Sequence, residues 1–410
     1  MPMQSGLTRA CALCGVVLVV TGCGPLTTES DAAVWEPGIA PGGCPAPSLS
    51  GPVRLPSRVL LMVGDGMGPG QVDAARLLKG GSLRMDDLPA HTRVATDSWS
   101  TLNVEGAPVT DSAAAATAFA TGVLTRNVHV AVSPEGEPLT SVLDLAQERG
   151  YATGLVTTSY LYDATPMAFA VHVDNRALYE DVVVQLLERS PLDLLLGGGG
   201  GLLGDAYLPW RMDAEAAGYT LVFDADMLLE RRGDGSTLGL FVGQVAEPPT
   251  ELAWWTTPAH RRGLGETDPS LPQMTTWSIE TLSSRSDEWF LLVEDEHIDE
   301  LGHLSGAYPE LATEHIAAEV AYFDDAVGAA IDWLEADGSL ADTLIVVLAD
   351  HETGGYVPSS EDPRAGVFWT SGHTRTPVDV FASGPGADEL ARLCHLADVF
   401  ALMTGRMEEL

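Results

Sequence analysis

Short apolar runs that end in acids or histidines recur along this chain, and they restrict its fold more than any other feature. Leu344-Ile-Val-Val-Leu348 leads into Ala349-Asp350-His351, Val59-Leu-Leu-Met-Val63 into Gly64-Asp65, and Phe290-Leu-Leu-Val293 into Glu294. Such runs, bounded by turn-forming residues, read as strands buried on both faces. A carboxylate desolvated at the end of such a strand is costly unless it is paired or coordinates a metal. In open α/β sheets, groups just past the carboxyl ends of the strands collect at one edge, so residues remote in sequence meet there. Asp299 and His303, four apart, and His373 in Ser-Gly-His-Thr add further donors. Asp and His without Cys suit zinc at a catalytic site, and an oxygen set with Glu and Thr suits magnesium.

From Ser57 onward the apolar runs alternate with helical patterns, which predicts an α/β fold, a three-layer sandwich whose central, mostly parallel sheet is flanked by helices. Strands are expected at Val59–Val63, Thr153–Thr157, Leu192–Leu196, Phe290–Val293, Leu344–Leu348 and Val378–Phe381. Helices are expected at Gly70–Leu78, Ser112–Thr121, Leu139–Arg149, Arg176–Glu188, Pro272–Ser283, Leu311–Ala336 and His395–Leu402. Arg231 to Ser270 is the least regular stretch and carries Trp254-Trp255, a cap on the site, a subunit contact or a packed surface excursion.

The 410 residues carry a formal charge of −37 and a single lysine, Lys79. That balance argues against nucleic-acid or anionic-membrane partners, which draw on clustered Lys and Arg. The start of the chain reads as an export signal: Arg9, then an apolar run from Ala10 to Thr21 that is too short to span a bilayer. The sequence predicts a lipoprotein signal peptide over 1–22, Cys23 as the lipidated residue, a flexible Pro/Gly/Ser/Thr-rich tether over 23–56, and a catalytic domain over 57–410. Of the five cysteines, Cys44 and Cys394 then remain, either as a disulfide that an exported setting permits or as two free thiols.

Thr110-Asp111-Ser112-Ala-Ala-Ala-Ala places a serine in the first turn of an alanine-rich helix that Gly122 closes. The N-terminal N–H groups and dipole favour an anion there, although Asp111 and Ser112 taken alone read as a helix cap. The five-glycine run from Gly197 to Gly201 lacks the Lys-Ser/Thr of a P-loop and reads as a tight strand exit.

Gly64-Asp65-Gly-Met-Gly68, Thr110-Asp111-Ser112-Ala, Asp163-Ala-Thr165-Pro, the run from Glu294 to His303, Ala349-Asp350-His351-Glu-Thr-Gly-Gly355 and Gly372-His373-Thr374 follow one another in order from about Ser57 to Thr404. Together they resemble the bacterial alkaline phosphatase family. The resemblance implies two zinc ions and one magnesium ion, phosphate monoesters as substrates and inorganic phosphate as product. Ser112 matches the nucleophile that becomes phosphoserine. Asp299, His303 and His373 match the ligands of the first zinc, and Asp350, His351 and Asp65 those of the second. Asp65, Thr165 and Glu294 match the magnesium ligands, with Asp163 nearby in a water-mediated role. Arg176 stands where the family grips phosphate and Asp111 where it holds that arginine. Glu300 departs from the pattern, which has a basic or histidine residue after the aspartate.

Physical chemistry supports these roles separately. A serine hydroxyl is a poor nucleophile that metal coordination activates, paired zinc ions clamp both oxygens of an in-line displacement, and a guanidinium fork matches phosphate. Among the other histidines, His297 stands out because it lies inside the ligand segment. The rivals are a phosphodiesterase or sulfatase of the same superfamily and a non-catalytic lipoprotein that binds phosphate or metal. Four alanines after Ser112 argue against a sulfatase, and no nucleophile or ligand is missing. The expected location is a bacterial membrane surface, anchored through Cys23 and facing the periplasm or the cell exterior; a homodimer stays open.

Overall fold

The computed structural model describes residues 39–40, 44–45, 52–198, 208–231, 233, 235–241 and 267–406. Among the described residues nine strands form the central sheet: β1 (Arg58–Gly64), β2 (Ala90–Val94), β3 (Ala152–Tyr160), β4 (Leu194–Gly198), β5 (Thr220–Val222), β6 (Thr237–Phe241), β7 (Trp289–Asp295), β8 (Thr343–Leu348) and β9 (Val378–Ser383). Their order is β2-β9-β8-β1-β7-β3-β4-β6-β5. All neighbours pair in parallel except at β9, which runs against both β8 and β2.

The middle strands are buried end to end, which is why they read as unbroken apolar runs rather than as alternating patterns. One helical layer joins Pro69–Leu78 and Leu271–Arg285 to the 29-residue helix Pro309–Asp337. The other joins Ser112–Thr121 to Val142–Glu148, Ala164–Met167 and Asp398–Thr404. This is the three-layer arrangement expected from the sequence.

Register is what builds the site. Leu348 pairs with Val63, Val63 with Glu294, and Glu294 with Thr157. Four carboxyl ends are therefore level, and the residues just beyond them face one another.

Several boundaries differ from those expected. The helix after Arg176 begins only at Tyr179, so Arg176 sits in a turn. The expected Leu139 helix starts at Val142, where Ser141 and Asp144 form a capping box, and the expected His395 helix starts at Asp398. Strand β4 begins at Leu194 and takes in Gly197 and Gly198. A Cβ on Gly197 would lie 2.7 Å from Thr157 Cγ2, so this glycine permits close strand packing; Gly199 to Gly201 lie outside the described residues. Strand β2 went unread because Ala-His-Thr-Arg-Val is an edge strand with polar alternate positions. His91 and Arg93 on it bind the buried Asp379 of β9 at 2.8 and 2.7 Å. Strand β6 falls inside the stretch read as irregular; residues 242–266 of that stretch, with Trp254-Trp255, lie outside the described residues.

The signal segment 1–22, Cys23 and the tether up to 51, apart from 39–40 and 44–45, also lie outside the described residues. Among the described residues no helix is long and apolar enough to cross a membrane. Cys394 is disulfide-bonded, and the side chain of Cys44 lies outside what is described.

Candidate active site

Asp350 follows β8 by two residues. Its Oδ1 accepts from the Gly66 N–H at 3.1 Å and from the His351 N–H at 2.8 Å, which pins the carboxylate. Its Oδ2 is buried without a hydrogen bond, as is Oδ1 of Asp65, which follows β1. Both atoms face His351 Nε2, at 3.0 Å from Asp350 Oδ2 and 3.7 Å from Asp65 Oδ1. The state of that nitrogen follows from its other side. Thr353 has a single hydroxyl proton and donates it to Asp299, so at His351 Nδ1, 3.2 Å away, the hydroxyl accepts. Nδ1 thus carries the hydrogen. Burial, and then the neighbouring His373, push His351 well below its ordinary range, so the ring is neutral and Nε2 presents a lone pair.

Two carboxylate oxygens and an imidazole lone pair thus converge in a fully buried space. Without a cation this is strongly unfavourable. Burial, and then the charge of Asp350, push Asp65 well above the usual carboxylate range; burial and Asp299 push Asp350 up to about 6. Ser112 Oγ reaches the same space, 3.4 Å from His351 Nε2. His351 is 239 residues from Ser112 in sequence, and the fold brings the two together.

Beside it stands a second convergence. His303 Nδ1 donates to the Ser371 carbonyl and His373 Nδ1 to the Thr110 carbonyl, both at 2.7 Å. In neutral rings both Nε2 atoms are then lone pairs. They lie 3.1 Å apart, and 3.3 and 3.6 Å from the Asp299 carboxylate. Positive charge has to sit among them. In the metal-free protein a proton serves, and His303 is pushed up to about 9, mainly by its hydrogen bond to Asp299. Burial opposes ionisation of Asp299, but the hydrogen bond to His303 and the histidine charges hold it far below its usual range. The two spaces adjoin, since the His351 and His373 rings stack with centroids 3.6 Å apart.

The ligand loops are fixed by a buried network that sequence reading missed. Glu352 Oε1 accepts from Gln71 Nε2 at 2.9 Å and from the Tyr356 N–H at 3.1 Å, and Thr374 donates to its other oxygen. Glu352-Thr353 and His373-Thr374 pair as short antiparallel strands, so the network ties His351 to His373. Gly66 has φ +71°, and a Cβ there would lie 2.7 Å from Asp299 Cα. Gly66→Ala is therefore expected to cost about 2 kcal/mol in urea denaturation, combining a left-handed backbone with a backbone clash, and to displace Asp299 enough to cut kcat/KM by roughly 10-fold.

Glu294, at the end of β7, accepts from Thr157 Oγ1 at 2.5 Å and is pushed up to about 8 by burial and the charges of Asp163 and Asp350. Thr165 Oγ1 is buried near Glu294 without closing a hydrogen bond of normal geometry. Asp65, Thr165 and Glu294 thus offer the oxygens expected of a magnesium set. Thr157 was legible only through the register that pairs it with Glu294.

Arg176 and Asp111 correct the expectation. Arg176 donates to Asp163 Oδ1 at 2.7 Å, not to Asp111. Asp163 also accepts from Ser159 Oγ and the Ala164 N–H, both at 2.7 Å, which with Arg176 satisfies its carboxylate. Asp111 instead caps the Ser112 helix through the Ala114 N–H at 3.0 Å and accepts from the Val128 N–H at 2.9 Å. The Val128 carbonyl in turn accepts from the Arg176 N–H at 2.8 Å, so Asp111 reaches Arg176 through the backbone of Val128, a non-glycine residue at φ +68°. Burial works against the charge on Arg176, but Asp163 and then Asp111 more than offset it.

Burial is the main cause that pushes Glu300 up; the charge of His297 pulls the other way, and those of Asp299 and Asp163 add to the rise. It places a carboxyl group where the family pattern has a basic or histidine residue. His297 is buried with Asp295 and Glu319.

The alkaline phosphatase family profile matches residues 57–366. The chain belongs to the alkaline phosphatase family. It is a metal-binding phosphatase that hydrolyses phosphate monoesters. It is similar to the streptomycin-6-phosphate phosphatase of Streptomyces griseus, 31% identical over 90% of this chain and 94% of that one. It is also similar to the alkaline phosphatase of Escherichia fergusonii, 30% identical over 84% of each chain. Among solved structures, the cold-active alkaline phosphatase of the psychrophile Shewanella sp. superposes with a TM-score of 0.70 at 25% identity, covering 85% of this phosphatase and 99% of that chain.

Proposed function

We propose that the phosphatase cleaves phosphate monoesters through a phosphoserine on Ser112, at a site holding two zinc ions and one magnesium ion. The observation that carries the reading is the meeting of Ser112 Oγ with Asp65, Asp350 and His351 at the N-terminus of an anion-favouring helix, next to Asp299, His303 and His373. The unpartnered Asp65 and Asp350 oxygens, the facing Nε2 lone pairs and the Thr165–Glu294 oxygen set fit the three ions. When bound, the ions would lower the pKa of the serine hydroxyl and of water and offset the charge of the leaving oxygen.

The chain's own groups do the rest. The dipole and N–H groups of the Ser112–Thr121 helix favour phosphate at Ser112. Ser112 Oγ attacks phosphorus, the alcohol leaves, and water then attacks the phosphoserine to release inorganic phosphate and restore the serine. Arg176, held by Asp163 and by the Val128 backbone, supplies the fork for two phosphate oxygens. Arg176→Ala is expected to weaken inhibition by inorganic phosphate roughly 10- to 100-fold, and Arg176→Lys to recover little of it, because a point charge lacks the planar fork; inhibition titrations measure both.

The test of this reading is kcat/KM for an aryl phosphate monoester against the matching diester, with zinc and magnesium supplied. A monoester preference of several orders of magnitude supports it. Equal or reversed rates would move the chain to the diesterases. Lipid anchoring at Cys23 after removal of 1–22, a tether over 23–56, and a catalytic domain over 57–410 facing the periplasm or cell exterior complete the proposal, supported by the sequence. Mass spectrometry of the N-terminal peptide from the native host would detect the lipid, and an unmodified Cys23 would exclude it.

A further inference from the structure

Successive side chains of a strand point to opposite faces, so Glu294 and Asp295 at the end of β7 part company. Glu294 joins the catalytic edge. Asp295 meets His297, which opens the helix His297–Leu304, and Glu319 of the long helix Pro309–Asp337. One ligand atom from each of the three lies within 4.8 Å of the others, and His297 Nδ1 is 3.4 Å from Asp295 Oδ1. Their relative exposures are 0%, 1% and 0%, so solvent cannot balance their charge.

Asp295 is only half satisfied. Its Oδ1 accepts from Thr158 Oγ1 at 3.1 Å and from the His297 N–H at 3.2 Å, while its Oδ2 is buried with no hydrogen-bond partner. A buried carboxylate oxygen left bare is costly unless something positive meets it. His297 and Glu319 have further contacts, so the weight rests on Asp295 and on the convergence of the three groups.

We infer that Asp295, His297 and Glu319 form a fourth cation site, separate from the catalytic ions, that takes a divalent transition metal of the zinc or manganese kind. One imidazole nitrogen and two carboxylate oxygens are a donor set such ions accept, with water completing the shell. Its role is positional: an ion there would clamp the start of the helix that carries Asp299 and His303 onto the long helix.

The test is a zinc count on the full-length protein equilibrated by dialysis against buffered zinc with magnesium, together with anomalous diffraction at the zinc edge from crystals of the wild type. Glu319→Gln and His297→Asn, on different elements, each remove one donor. The expected result is one zinc ion fewer per chain in each folded variant than in the wild type, and a wild-type anomalous peak among Asp295, His297 and Glu319. Equal counts, or catalytic peaks without this one, would overturn the fourth site and leave the proposed function standing; absence of every peak would overturn both.

Discussion

Ser112→Ala is expected to lower kcat/KM for an aryl phosphate monoester by about 10⁴-fold or more, because it removes the attacking atom and leaves only binding and electrostatics. It is also expected to leave the melting temperature within about 2 °C. Ser112 is 5% exposed in the first turn of a helix whose cap is Asp111, and alanine extends the alanine run that already forms that helix. Asp111→Ala should separate the two effects in the opposite sense, losing about 1 kcal/mol of stability with the cap. Kinetics and thermal melts on both variants make the comparison. Turnover by Ser112→Ala within 10-fold of the wild type would remove Ser112 from the chemistry.

Chelation is expected to abolish activity and to make stability depend on pH with a definite sign. In the metal-free protein Glu294 rises from 4.5 to about 8 and Asp350 from 3.8 to about 6, with Asp65 also raised. A carboxyl group whose folded pKa is raised binds its proton more tightly when folded, so its stabilisation is present at low pH and is lost as pH climbs through the folded value. His303, raised to about 9, has the same sign. His351, depressed by burial, opposes them, and its contribution is lost as the pH falls below 6.5. The chelated protein should therefore lose melting temperature between about pH 6.5 and 8. The loaded protein should hold its value there, since metal affinity grows as ligands deprotonate, and an ion at 100 times its Kd adds about 2.7 kcal/mol. The gap between the two curves should widen with pH. Parallel curves would show that these carboxylates do not hold the ions.

Much of the site was legible because ligands follow buried strands. Asp65, Glu294, Asp350 and His351 each stand at the end of an apolar run, and parallel register brings them together whatever their separation in sequence. Glycine at Gly122 marked the helix end for a steric reason, its left-handed backbone. What escaped depends on partners the sequence does not order. Asp111 was expected to hold Arg176, but Asp163 takes the guanidinium, and Asp111 spends its oxygens on two backbone N–H groups. Thr353, which sets the tautomer of His351, is one threonine in a ligand motif until its contact with Asp299 is seen. Edge strand β2 and the short strands β5 and β6 lacked the long apolar runs that made the central strands readable.

The most direct test of the central claim is acid quenching of the metal-loaded enzyme during turnover of a phosphate monoester, followed by mass spectrometry of the peptide carrying Ser112. The account predicts a covalent phosphate on Ser112, absent from Ser112→Ala and from the chelated protein. Full turnover with no phosphate on that serine at any quench time would contradict it, and would point to direct attack by water at the same cluster of ligands.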